Sequence, residues 1–162
     1  MNKNKIQKLV EFALSDKLNQ HKEIVIGKVS KEQADFFLQE IGGNLENAER
    51  CLDTSAIRHI IKEHGSEKTE QARGQVPINL DDFELITSIL ENADEISYKG
   101  KNRLKQDTFI YKKKIQDIYV VMEAVRLSKK KGNKISICTM YKIKGSRSKK
   151  RLPYNRCLRC LF

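Results

Sequence analysis

The sequence predicts an α+β domain in which N-terminal helices pack on a four-stranded antiparallel meander sheet. Two observations carry this expectation. Up to about residue 94, apolar residues recur mainly at three- and four-residue steps; from residue 95 the period changes to two over four successive runs. The connections between those runs are short and basic. Connections of that length join antiparallel neighbours, because a parallel pair needs a long crossover.

The first element is an amphipathic helix over residues 4–20, where Ile6, Leu9, Val10, Ala13, Leu14 and Leu18 line one stripe. EIVIGKV (23–29) is a β-branched run that ends at Ser30, a residue suited to cap a second helix over KEQADFFLQEI. Gly42–Gly43 stops that helix, and a short extended piece around AERCL follows. Asp53, Thr54 and Ser55 then form a cluster of capping residues before AIRHIIKEHG, a short helix ending at Gly65. On that helix Ile57, Ile60, Ile61 and His64 share a narrow arc, whereas Arg58, His59, Lys62 and Glu63 project elsewhere. His64 is therefore expected on the buried side and His59 on the open side. A loop of small and polar residues is expected next, followed by a helix in PINLDDFELITSILENAD with Asn79 as its cap. The four strands are EISY, DTFIYKKKI, DIYVVMEAVRL and NKISICTMYKI. From residue 145 the chain is basic and aperiodic, which predicts a flexible tail. The expected organisation is thus an N-terminal helix (1–21), a main domain (22–144) and a basic tail (145–162).

The net charge of +11 is unevenly placed. Residues 1–96 hold 12 Lys/Arg against 18 Asp/Glu, a balance of −6; residues 97–162 hold the other 20 against three, a balance of +17. A division this sharp points to a polyanion-binding half, with nucleic acid the commonest partner; a solvated lysine-rich surface is the alternative. No apolar run approaches the roughly 18–20 residues needed to span a bilayer, and the mixed-charge N-terminus is unlike a signal peptide. A soluble, cytoplasmic protein is the expectation, with no membrane partner. Cys157 and Cys160 form a lone CxxC without a second ligand pair, a weak signal for zinc, and no carboxylates are spaced to hold Mg²⁺. Neither metal nor cofactor is expected.

DTSAIRHIIKEHG, then QVPINLDDFELI, ISYKG, FIYKKKI, YVVMEAVR and ICTMYK, in this order and spacing, resemble the third phage-associated branch of the barnase–EndoU–colicin–RelE-like nuclease superfamily. The resemblance covers about residues 22–144. It implies a barnase/RelE-like fold and a small metal-independent ribonuclease of a toxin-like or phage-associated kind, acting in the host cell or with the phage, with an inhibitor or immunity protein as a candidate partner. Carried over residue by residue, it points to Arg58, His59 and His64 on the short helix, Gln75 and Pro77 in the following loop, and Thr139 and Lys142 on the last strand. Tyr111 and Lys113 fall on the second strand's matching segment, and Glu123 in the middle of the third.

Metal-free RNA cleavage needs a base for the 2′-hydroxyl proton, an acid for the departing 5′ oxygen, and cations to stabilise the phosphorane. Histidine suits the proton roles and arginine the third. The expected catalytic set is therefore His59, Glu123, His64 and Arg58, with Lys62, Gln75, Tyr111, Lys113, Thr139 and Lys142 binding RNA phosphate. His59 is the first choice for proton transfer, against an exposed surface histidine. Glu123 interrupts an otherwise apolar strand, so it either faces solvent or is held by a neighbouring cation, for which Lys113 and Lys142 are the candidates. RNA, with tRNA as one candidate, would be cut by 2′-hydroxyl transesterification. The competing expectation is a non-catalytic nucleic-acid-binding or phage structural module with the same fold.

Overall fold

The computed structural model describes residues 2–15 and 20–145; the predicted basic tail and the Cys157/Cys160 pair lie outside the described residues. The chain opens with α1 (Asn2–Leu14), which buries Ile6, Leu9, Val10 and Ala13 on one stripe. The Ser15 hydroxyl donates to the Phe12 carbonyl at 2.7 Å and closes the last turn after Leu14; residues 16–19 of the predicted helix, with Leu18, lie outside the described residues. After β1 (Glu23–Lys28) comes α2 (Lys31–Ile41). Ser30 Oγ accepts from the Gln33 N–H at 3.3 Å, and Gly42, at φ 72°, returns its N–H to the Leu38 carbonyl. That left-handed conformation costs glycine nothing.

Next are β2 (Glu49–Asp53) and α3 (Thr54–His64). The predicted polar loop after Gly65 instead contains α4 (Glu67–Ala72) and the two-residue strand β3 (Gln75–Val76). Asn79 caps the next helix as expected, in a reciprocal capping box with Asp82, but the first turns are a 3-10 helix (Leu80–Leu85) before α5 (Ile86–Glu91). The meander then runs β4 (Glu95–Lys101), β5 (Asp107–Ile115), β6 (Asp117–Arg126) and β7 (Lys134–Ile143).

These four strands are antiparallel neighbours, as predicted, but the sheet is larger and mixed. Its order is β1-β2-β7-β6-β5-β4, with β3 also on β7, and β2 runs parallel to β7. Short connections constrain only consecutive strands. The chain between β2 and β7 is long enough for any crossover, so a parallel pairing was open to it. β2 covers the first residues of β7 and β3 the last, and α3, which connects them through α4, packs against β7.

The main core fills one face of the sheet. Phe37 of α2 lies 4.3 Å, centroid to centroid, from Phe109 of β5, and Leu52, Ile57, Ile60, Phe83, Val121, Ile135 and Met140 complete it from other elements. Each such side chain contributes about 1.5–3 kcal/mol on burial. Ile110, Val120 and Met122 point the other way by strand alternation and form a second, smaller apolar cluster. A bulge interrupts β7: Met122 pairs with Thr139 but Glu123 pairs with Ile137, leaving Cys138 as the extra residue. Ile135 and Ile137 therefore face the main core, whereas Thr139 and Tyr141 face the opposite side.

Candidate active site

The site grows from the start of α3. Asp53 ends β2 in extended conformation and caps the helix, its Oδ1 accepting from the Ala56 N–H at 2.7 Å. The other oxygen of the same carboxylate lies 3.5 Å from His21 Nε2. Antiparallel pairing of β1 with β2, which sets Glu23 opposite Asp53, brings these two residues together. On α3 the isoleucines at 57 and 60 turn into the main core, and His59 is left half-buried beside a cavity of about 300 Å³.

That cavity opens beside the sheet face away from the main core. His21, Asp53, Ser55 and His59 line one side; Arg126 of β6 with Ser136 and Cys138 of β7 line the other; Leu104 and Gln106 of the β4–β5 turn close the rim. His59 Nε2 is buried and has no hydrogen-bond partner among the described residues. His59 is among the residues that line the cavity, and its buried Nε2 is a polar atom whose hydrogen-bonding capacity is unmet among the described residues. Burial holds the His59 pKa below its ordinary value of 6.5, against the opposing pull of Glu63. The Arg126 guanidinium is anchored by Glu23 at 2.8 Å and by Ser136 Oγ at 3.0 Å, and its side chain is still 44% exposed. Cys138 is no nucleophile in this setting, because burial, followed by the charge of Glu123, pushes its thiol up to about 12.

The remaining expected residues lie elsewhere. Arg58 Nε donates to the Ala13 carbonyl at 2.9 Å, and both terminal nitrogens reach the Gln20 carbonyl at 3.3 Å. It ties α1 and the following segment to α3. Lys62 is exposed on α3. His64 is fully buried, as its apolar arc predicts: Nδ1 lies 3.3 Å from Glu70 Oε2, and the ring packs on Tyr141 at 5.5 Å. Glu70 in turn binds Arg73 at 3.1 Å, so this cluster fixes α4 to the end of α3.

Glu123 is also fully buried, on the core face of β6. Its partner is Arg50 of β2 rather than either predicted lysine. Arg50 Nε lies 3.2 Å from Oε2, and Nη2 donates to Tyr111 Oη at 3.2 Å. The predicted lysines are otherwise engaged: Lys113 Nζ donates to the Asn92 carbonyl at 2.7 Å, and Lys142 pairs with Asp82 at 2.8 Å, where Tyr119 Oη also donates. The fold does not bring Arg58, His64 or Glu123 to the cavity beside His59. Gln75 lines a different cavity, of about 300 Å³, near Lys144. Thr139 is fully buried, and its hydroxyl is unpaired among the described residues.

A nuclease-family model, described as phage-Barnase-EndoU-ColicinE5/D-RelE like nuclease3, matches residues 27–150. The chain belongs to this family. The match runs from the last two residues of β1, Gly27 and Lys28, through β7, and thus includes His59, Arg126 and Ser136, whereas α1, His21 and Glu23 precede it. No curated protein and no solved structure matches the chain. Membership in this nuclease family implies a nucleic-acid substrate. Among the described residues no group of His, Cys, Asp and Glu is placed to hold a metal ion, and no helix is long and apolar enough to cross a membrane.

His21 and Arg126 were missed as site residues by sequence reasoning. His21 has no local motif, and its link to Asp53 comes only from the β1–β2 pairing. Arg126 closes an apolar strand and reads there as an ordinary edge residue. The one available signal was that the chain has three histidines and His21 is the third.

Proposed function

We propose that the protein is a metal-independent endoribonuclease that cleaves RNA by attack of the 2′-hydroxyl on the adjacent phosphate, leaving a 2′,3′-cyclic phosphate. The observation that carries this reading is a single cavity lined by two histidines and an arginine. His59, held neutral near pH 7 by burial, takes the 2′-hydroxyl proton. His21, exposed and oriented by the Asp53 carboxylate, delivers a proton to the departing 5′ oxygen. Arg126, braced by Glu23 and Ser136, pairs with the phosphate oxygens as negative charge builds. In this reading Arg58, His64 and Glu123 hold the scaffold that presents His59 rather than handling protons.

Incubating the purified protein with total tRNA and with a mixed RNA pool in EDTA, then mapping the ends, tests the proposal. Products ending in 2′,3′-cyclic phosphate that disappear in His59→Ala and His21→Ala support it; activity abolished by EDTA overturns it. The second reading, a non-catalytic nucleic-acid-binding or phage structural module, draws on one observation. Three of the four side chains expected to be catalytic are engaged in internal contacts. A salt-sensitive RNA complex with no product from either wild type or His59→Ala would favour that reading.

A further inference from the structure

Two surface loops border the cavity and have no part in the proton transfers above. The β4–β5 turn (102–106) and the β6–β7 turn (127–133) lie at the same end of the meander, because each joins antiparallel neighbours and β5 pairs with β6 between them. At the spacing of adjacent strands, the two turns are roughly 10 Å apart. One contributes Leu104 and Gln106 to the cavity wall; the other springs from Arg126, which lines it.

Both loops are built to hold their side chains outward. In the first, Asn102 Oδ1 accepts from the backbone N–H groups of Leu104 and Gln106 at 3.0 and 2.9 Å, and Nδ2 donates to Gln106 Oε1 at 3.1 Å. In the second, Ser128 Oγ accepts from the Lys131 N–H at 3.0 Å, and Gly132 takes a φ of 76°. The tips carry two of the most exposed large apolar side chains among the described residues, Leu104 at 72% and Leu127 at 66%. Lysines surround them: Lys105 in one turn, and Lys129, Lys130 and Lys131 in the other. All four are exposed and form no ion pair among the described residues.

We infer that the two turns form a clamp for a single-stranded polynucleotide, holding the strand beyond the phosphate seated in the cavity. The inference rests on the RNA-cleaving reading for its substrate and goes beyond it in placing an extended backbone-binding surface. Unpaired lysines along a strand's path supply the phosphate contacts. Exposed leucines on rigid turns supply apolar surface for unstacked bases, which a duplex would not offer. Continuity with the cavity wall at Leu104 and Arg126 favours a polynucleotide over an anionic membrane surface, the other partner that paired basic and apolar loop tips fit.

The test uses the full chain carrying His59→Ala, with and without the triple change Lys129→Ala, Lys130→Ala and Lys131→Ala. Binding of a fluorescein-labelled single-stranded RNA of about 20 nucleotides is followed by anisotropy across a salt series. We expect the triple variant to lose affinity by on the order of tenfold to a hundredfold at low salt. Its slope of log affinity against log salt should be shallower by roughly 2, at about 0.7 per lost phosphate contact. Leu104→Ser should weaken binding without changing the slope. In the otherwise wild-type protein, cleavage of a dinucleoside monophosphate should be the same with and without the triple change. Equal affinity and slope with and without the lysines overturns the clamp, as does binding of phosphatidylserine vesicles in place of RNA. A lysine-dependent slope with no cleavage product from the wild type keeps the clamp and overturns the nuclease reading; product formation with an unchanged slope does the reverse.

Discussion

Arg50 and Glu123 meet inside the molecule, with Nε 3.2 Å from Oε2 and side chains only 3% and 0% exposed. The pair spans β7, joining β2 to β6, and Tyr111 Oη on β5 accepts a further N–H from the guanidinium. Removing one partner of such a pair leaves the other charge buried and unmatched. Glu123→Ala is therefore expected to lower stability by about 3–5 kcal/mol in urea denaturation. Replacing both partners, as Arg50→Met with Glu123→Leu, should cost far less. A Glu123→Gln protein of unchanged stability that no longer cuts RNA would show instead that the carboxylate handles protons.

His59→Ala should reduce kcat/KM on RNA by about 10²–10⁴-fold, the usual contribution of a general base. Because burial lowers the imidazole pKa below 6.5, the acid limb of the kcat/KM profile should bend below pH 6.5. The same shift has a sign for folding. An unfolded histidine binds its proton more readily than folded His59, so the associated stability is complete above pH 6.5 and is lost as pH falls through 6.5 toward the folded value. An acid limb bending clearly above 6.5 would point to another base.

Gly65 ends α3 at φ −94°, an ordinary right-handed conformation, so backbone freedom does not explain it. Space does. A Cβ at this position would sit 2.5 Å from the Ile61 carbonyl oxygen, a backbone atom that cannot swing aside. Gly65→Ala is expected to cost about 1–3 kcal/mol, the range for forcing extra atoms into a packed site, measured as a lower denaturation midpoint.

Cys138 lines the cavity yet should behave as an inert thiol. With a pKa near 12, it is thiolate in only about one molecule in 10⁴ at pH 8. Mass spectrometry of the native protein after iodoacetamide treatment should show Cys138 unmodified on a timescale that fully alkylates the urea-unfolded chain. Rapid native alkylation would mean that the thiol is activated.

Most local structure was legible in the sequence because local rules decide it. Ser30, Asp53 and Asn79 all cap helices as their side chains predict, and Gly42 ends α2. The four strands of the meander follow their period-two runs. Three features were not legible, and each depends on long-range pairing or on a short span. α4 and β3 are too short and polar to show a period. The bulge at Cys138 breaks the alternation of β7, so Ile137 and Thr139, two residues apart, face opposite sides. The partner of Glu123 sits on β2, a strand reached only through the parallel pairing with β7. On the candidate site, the helical arc placed His64 on the buried side, as the structure has it, whereas His59, expected on the open side, is half-buried, and its companions come from the segment just before β1 and from β6 and β7.

The parallel contact between β2 and β7 also bears on how the chain reaches its fold. Arg50 sits opposite Ile135, so the centre of the sheet cannot close until roughly half the chain beyond β2 is in place. Much of the partner surface for Leu52, Ile57 and Ile60 is contributed by those later strands. Loop closure over that span favours slow assembly, and a segment emerging from the ribosome would carry these apolar side chains uncovered until β7 arrives. Shortened chains ending before Lys134 should accumulate as aggregates rather than as smaller folded units.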